Sequence, residues 1–142
     1  MAFFSAVKNV PSLQSFPCAT TLTVTKGVPV RLVSGVITIC ATNVLDVLGI
    51  PAETHVSGGA ATINVIPAVG KEGPTIFKIA NATIASTSCG VCYFLQTVAT
   101  NSVAIHTAST TLGAFMALTA DGTDVWGVLS GNQFQGALSL TA

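Results

Sequence analysis

Residues 27–35 read Gly-Val-Pro-Val-Arg-Leu-Val-Ser-Gly. Within this stretch Val28, Val30 and Leu32 alternate with a proline and an arginine, and a Ser-Gly pair follows. Alternation with a period of two is typical of a strand with one buried face, and Ser-Gly is typical of a turn. The stretch therefore predicts a β-strand that ends in a tight turn.

The same alternation recurs on both sides of this stretch, around residues 22–24, 62–65, 91–96 and 133–140. Good helix formers are sparse, whereas Thr, Val, Ile and Gly, which favour strands and turns, dominate. Gly-containing turn sequences separate about ten candidate strands. This arrangement predicts an all-β fold, with a single compact domain that is barrel-like or sandwich-like.

The first residues follow a different pattern. Residues 1–17 contain Pro11 and Pro17 and show little alternation, so we expect an extended N-terminal arm ahead of a β domain at 18–142. An arm with apolar anchors is typical of an attachment element whose side chains fill pockets on a partner. Its anchors are Phe3, Phe4, Leu13 and Phe16.

The β domain contains two similar short segments of sequence, which we call the internal echo. Asp46-Val-Leu-Gly-Ile50 recurs as Asp124-Val-Trp-Gly-Val128. Similar strand patterns flank both copies, which indicates a repeated β unit at about residues 20–67 and 106–142. Chance similarity among strands of simple composition is the alternative, and the sequence leaves both open.

The charge content predicts assembly. Hydrophobic residues make up 50% of the 142 residues, but charged residues make up only 7%, five basic and five acidic. A soluble domain averages roughly a quarter charged residues, and a monomer needs surface charge for solubility. We therefore expect a homo-oligomer that buries much of its exterior against protein.

Other classes of partner are not expected. The five basic residues form no run, so there is no electrostatic signature of nucleic-acid binding. Nowhere do about 18 apolar residues follow one another, as a membrane-spanning helix requires. The N-terminus has no basic region before its apolar residues, so a secretory signal is not expected either.

One motif could bind a metal or undergo redox chemistry, namely Cys89-Gly-Val-Cys92. Zinc would require a second close pair of ligands, but Cys18 and Cys40 stand alone in the sequence. We expect four buried, reduced thiols without metal. A zinc site and a disulfide remain as alternatives.

The remaining titratable residues do not form a catalytic pattern. His55 and His106 have no partner nearby in the sequence, and His106 lies in an alternating run typical of an edge or solvent-facing strand. Asp121 and Asp124 flank a turn, which a hairpin explains more simply than a calcium site. No nucleophile elbow, phosphate-binding loop or dinucleotide-binding loop is present. We expect no enzyme activity, no catalytic residues, no cofactor and no metal.

Two aromatic residues are candidate recognition groups. Trp126 and Tyr93 could stack on a sugar, but aromatic residues are more often core or interface anchors. We therefore count Trp126 with the candidate partner-binding residues.

The strand patterns together resemble those of small phage head decoration (cement) proteins. The resemblance is carried by Gly27-Val-Pro-Val-Arg-Leu, Ser34-Gly-Val-Ile, Val47-Leu-Gly-Ile-Pro-Ala, Ile63-Asn-Val-Ile-Pro and residues 113–128. It implies a β-rich trimer on the capsid exterior that binds the major capsid protein and braces the virion, and it implies no catalytic residues. Another phage structural role (tail tube, minor head or fibre base) and a surface glycan-binding β module are the alternatives.

Overall fold

The computed structural model describes residues 4–40, 47–70, 73–80, 92–99, 102–106, 115–121 and 123–129. For residues 80, 92–99 and 102–106 the description covers the backbone. The strands are β1 (Phe4–Lys8), β2 (Gln14–Pro17), β3 (Val30–Val33), β4 (Val36–Ile39), β5 (Gly49–Pro51), β6 (Thr62–Pro67), β7 (Val69–Gly70), β8 (Gly73–Pro74), β9 (Ile76–Ala80), β10 (Cys92–Ala99), β11 (Ser102–His106), β12 (Phe115–Ala120) and β13 (Asp124–Leu129).

The strands form three antiparallel sheets. The large sheet has the order β1-β9-β13-β12-β10-β11, the second sheet has the order β2-β6-β5-β3-β4, and β7 pairs with β8. The prediction of an all-β fold is confirmed. None of the sheets closes into a barrel, and the arrangement is compatible with a sandwich-like domain. The described residues include no helix, and so none that could span a membrane.

The hairpin formed by β3 and β4 follows directly from its sequence. Ser34 and Gly35 both adopt positive φ, 51° and 84°, and Val33 pairs with Val36 across them. A two-residue turn with positive φ at both positions matches the right-handed twist of the strands that it joins. The strand and turn predicted from residues 27–35 are therefore both present.

The core contains residues from both larger sheets. Alternate residues of β6, β9 and β13 are buried, as a period of two requires. Val30, Ile50 and Ile63 from the second sheet and Phe77 and Phe115 from the large sheet belong to one cluster of buried residues. The two sheets thus share a hydrophobic core.

Residues 4–17, expected as an extended arm, contribute strands to this fold, while the division into an arm at 1–17 and a domain at 18–142 stays a prediction. β1 pairs with β9 at the edge of the large sheet, and β2 pairs with β6 at the edge of the second sheet. Because these strands are only five and four residues long, they offer too few alternating positions to be recognised by period. Residues 4–17 are extended, but they contribute strands to both sheets.

The two copies of the internal echo share one structural feature. A Cβ on Gly49 would collide with the carbonyl oxygen of Ile66, and a Cβ on Gly127 would collide with that of Met116. Both glycines therefore lie where a neighbouring strand approaches closely. The strand predicted after the second copy, at 135–140, lies outside the described residues, so the repeat stays a prediction.

Candidate functional site

Among the residues whose side chains are described, three exposed apolar residues follow one another closely from the end of β1 to the start of β2. Val7, Val10 and Leu13 are 48%, 50% and 53% exposed. We call residues Val7–Leu13 the crossover segment, because they lead from the edge strand of one sheet to the edge strand of the other. Lys8 is its one charged residue. An apolar surface of this kind is suited to contact with another protein.

Local packing holds the crossover segment in place. Asn9 adopts a φ of 55°, a conformation that asparagine tolerates better than most residues. Pro11 packs so closely on Gly70 that a Cβ added there would lie 2.7 Å from the Cβ of Pro11. Beside this contact lies a cleft of about 350 Å³, lined by residues of the segment and by Val69 and Gly70. The crossover segment is therefore held against β7 through the contact of Pro11 with Gly70.

The structure does not bring the predicted partner-binding residues together on one surface. Leu13 is exposed on the crossover segment, but Phe4 is buried in the core and only 2% exposed. Phe16 on β2 is half-buried and packs against the core. Phe3 lies outside the described residues. The expectation that Phe4 fills a partner's pocket is corrected, because its ring already fills a place among Phe77 and Phe115.

Trp126 lies on the large sheet, apart from the crossover segment. It is partly buried on β13, directly opposite Lys78 of β9. The Lys78 ammonium lies 5.9 Å from the centre of the indole and 3.4 Å from the Asp124 carboxylate. Since a cation covers one face of the ring, this face is not open to stack on a sugar.

Sequence reasoning missed two exposed residues and one buried pair. Val7 and Val10 lie in the same segment of the chain as Leu13, and only their structural exposure distinguishes them from core valines. Cys18 and His55, which stand alone in the sequence, meet in the fold, where the Cys18 sulfur lies 3.5 Å from Nε2 of His55. The two residues are 37 positions apart, and no spacing motif joins them.

The Cys18–His55 pair does not have the geometry of a nucleophile and its base. Nδ1 of His55 lies 2.7 Å from the carbonyl oxygen of Leu22, and Nε2 lies 2.6 Å from that of Ala60. Because carbonyl oxygens only accept hydrogen bonds, a ring that makes both contacts donates from both nitrogens and has no lone pair to accept the thiol proton. Burial raises the pKa of the Cys18 thiol above its ordinary value, which disfavours the thiolate that a nucleophile requires.

The other titratable candidates, Asp121 and His106, lie at or directly after the ends of strands. Oδ1 of Asp121 accepts hydrogen bonds from the backbone N–H groups of Thr123 and Asp124, at 2.9 and 2.8 Å, and so caps the turn from β12 to β13. His106 ends β11, at the edge of the large sheet. Within the described ranges, no three His, Cys, Asp or Glu side chains converge as metal ligands would.

The structure tests only part of what was predicted for the four cysteines. Cys18 and Cys40 are both buried. Cys89 lies outside the described residues, and Cys92 begins β10, where the backbone alone is described. The predicted absence of zinc and of a disulfide at Cys89 and Cys92 stays a prediction.

Comparison with known proteins found no matching family model, no matching curated protein and no matching solved structure. The function is therefore inferred from the residues and surfaces described above.

Proposed function

We propose that this protein is a structural virion protein, a capsid decoration protein that binds the major capsid protein on the exterior of a phage head. The observation that carries the proposal is the crossover segment, where Val7, Val10 and Leu13 are each about half exposed on a chain with few charges. Surfaces of this chemistry bind other protein surfaces rather than nucleic acid or charged substrates.

The crossover segment supports a contact made mainly of apolar burial. Covering the exposed half of a valine or leucine side chain contributes about 1 kcal/mol. Three such side chains contribute about 3 kcal/mol before the costs of association, which is a modest affinity for one subunit. Many copies on one shell would multiply this contribution to the stability of the particle.

The sheet edges beside the segment support a second kind of contact. Among the described strands, β1 and β2 both lie at sheet edges, and each pairs with one strand of its sheet. An edge strand can accept a further strand through its backbone N–H and C=O groups. A partner that covers the crossover segment could add a strand at either edge, without requiring charges on this chain.

The proposed mechanism is thermodynamic. A protein that binds the assembled shell, and not its separate subunits, stabilises the assembled state by mass action. We propose that the bound form is a homotrimer, because a closed symmetric oligomer would bury surface that the chain's ten charged residues leave poorly solvated. Catalysis has no part in this mechanism.

The direct test is the composition of the particle. Gradient-purified virus particles that carry the gene for this chain are analysed by quantitative mass spectrometry and electron microscopy. We expect the chain in fixed ratio to the major shell protein, at isolated positions on the outer surface. Absence from the particles would overturn the proposal. Rings or helical stacks in a tail would show the alternative phage role, and specific binding on a glycan array would show a surface module.

A further inference from the structure

His55 occupies an unusual position for a titratable side chain. It lies in the connection between β5 and β6, and it is only 6% exposed. Its Nδ1 lies 2.7 Å from the carbonyl oxygen of Leu22 and its Nε2 lies 2.6 Å from the carbonyl oxygen of Ala60. A backbone carbonyl oxygen only accepts hydrogen bonds. Both contacts are hydrogen bonds together only when both ring nitrogens carry protons, as in the imidazolium form.

The ring joins two loops that also meet through their backbones. His55 and Val24 exchange two backbone hydrogen bonds of 2.9 Å. The N–H of Gly58 donates to the carbonyl oxygen of Thr20, at 2.7 Å. We call residues 18–24 the first loop and residues 55–61 the second loop. The second loop carries Val56, which is 58% exposed.

Two titratable groups act on the ring within the described part of the chain. The Cys18 sulfur lies 3.5 Å from Nε2, and burial raises the pKa of this thiol, which keeps it neutral. The Glu53 carboxylate, from the same connection as His55, favours the charged ring. The pKa of His55 is raised by the hydrogen bond to Ala60, then by that to Leu22, against an opposing effect of burial.

We propose that His55 is a proton-operated latch: the protonated ring strengthens the contact between the first loop and the second loop, and the neutral ring weakens it, so that the second loop opens more often. Loss of a proton leaves a nitrogen lone pair facing a carbonyl oxygen at hydrogen-bond distance, and two acceptors repel each other. Opening frees the loop that presents Val56. The latch is independent of the proposed function, since it requires only the two loops of this chain.

The direction of the pH dependence follows from the raised pKa. The stabilisation by the imidazolium is complete below the pKa of histidine in the unfolded chain, which is about 6.5. It is lost as the pH rises through the higher pKa of His55 in the folded protein. Between these two values, the opening equilibrium of the second loop should rise by up to tenfold per pH unit. Above the folded pKa it should level off.

The test is a titration of the intact protein by NMR with ¹³C- and ¹⁵N-labelled histidine. His106→Gln assigns the signals, because the chain has two histidines. We expect the midpoint of the His55 titration to lie above about pH 6.5. At about pH 6.5 both ring nitrogens should therefore carry protons in most molecules. We also expect hydrogen exchange of the Gly58 amide, corrected for its intrinsic pH dependence, to rise through the same midpoint.

Two variants complete the test. His55→Gln cannot gain a proton, so it should remove the pH dependence of Gly58 exchange, whereas His106→Gln should retain it. A neutral His55 tautomer at pH 6, or unchanged pH dependence in His55→Gln, would overturn the latch. The titration of the unmodified protein decides the matter even if His55→Gln does not fold.

Discussion

The ring of Phe4 lies edge-on to the ring of Phe115, with centroids 5.7 Å apart and planes inclined by 72°. Phe4 also meets Phe77 edge-on, at 6.4 Å. Edge-to-face pairs of this kind contribute beyond the area that they bury. The contacts fasten the first described strand to strands more than 70 residues away, so the N-terminus contributes to the core of the domain.

Phe4→Ala should therefore destabilise the fold. Removing a buried phenylalanine typically costs about 3–5 kcal/mol, because it leaves a cavity as well as losing apolar burial. Leu13→Ala is the matched control, and it should change the free energy of unfolding by less than about 0.5 kcal/mol, since Leu13 is exposed. Urea unfolding followed by circular dichroism measures both. Equal effects would contradict the assignment of Phe4 to the core.

Gly127 should tolerate no side chain. A Cβ there would lie 2.5 Å from Cζ of Phe115 and collide with the backbone of Met116, so Gly127→Ala should separate β12 from β13. Gly58→Ala is the control, because its added Cβ meets nothing and its φ of +87° alone should cost roughly 1 kcal/mol. Thermal melting should show a far larger loss for Gly127→Ala. A loss no larger than that of Gly58→Ala would contradict the close approach of these strands.

Cys18 should be chemically inert in the folded protein. Its thiol is buried and its raised pKa keeps it protonated, whereas alkylation requires an accessible thiolate. Iodoacetamide labelling followed by mass spectrometry should find Cys18 modified at least about tenfold more slowly in buffer than in urea. Equal rates in the two solutions would contradict its burial. Cys40, which is also buried, should behave in the same way.

Asp121 should contribute stability that disappears in acid. The backbone N–H groups of Asp124 and Thr123 lower the pKa of its carboxyl group. The contribution is present above the pKa of aspartate in the unfolded chain, which is about 3.9. It is lost as the pH falls through the lower pKa of Asp121 in the folded protein. A carboxyl ¹³C titration should give a midpoint below 3.9. Asp121→Asn, which retains an acceptor oxygen, should preserve the turn better than Asp121→Ala, and the reverse order would contradict the cap.

The features that the sequence predicted are those coded by neighbouring residues. The β3–β4 hairpin follows from alternation around Val30 and from the Ser34-Gly35 turn, because side-chain period and turn conformation are local properties. The turn at Asp121 is local for the same reason. Local alternation and turn sequences of this kind, repeated along the chain, predicted the all-β fold.

The features that the sequence did not reveal depend on distant parts of the chain. Phe4 is the one fully buried residue of β1, so that strand has no internal period, and its partner β9 lies more than 70 residues later. The contact between Cys18 and His55 joins residues 37 positions apart, and it exists only once the two loops meet. Similarly, the exposure of Val7 and Val10 depends on what the fold leaves uncovered.

The crossover segment can be altered without disturbing the core. Val10→Ser combined with Leu13→Ser should weaken self-association or partner binding, because it removes apolar area from the contact. Leu118→Ser on β12, also an exposed leucine, is the matched control. Sedimentation velocity and thermal melting of both variants should show unchanged melting temperatures. Identical association of the two variants would exclude the segment from the interface between copies.

The most direct measurement of the proposed role is the occupancy of this protein on purified shells from which it has been stripped. The account predicts that the added protein rebinds to saturation at low and at high salt, and that it raises the temperature at which the shells rupture. The Val10→Ser/Leu13→Ser variant should bind at least about tenfold more weakly, as a loss of more than 1.4 kcal/mol implies. Failure of the unmodified protein to bind, or equal occupancy by the variant, would contradict the account.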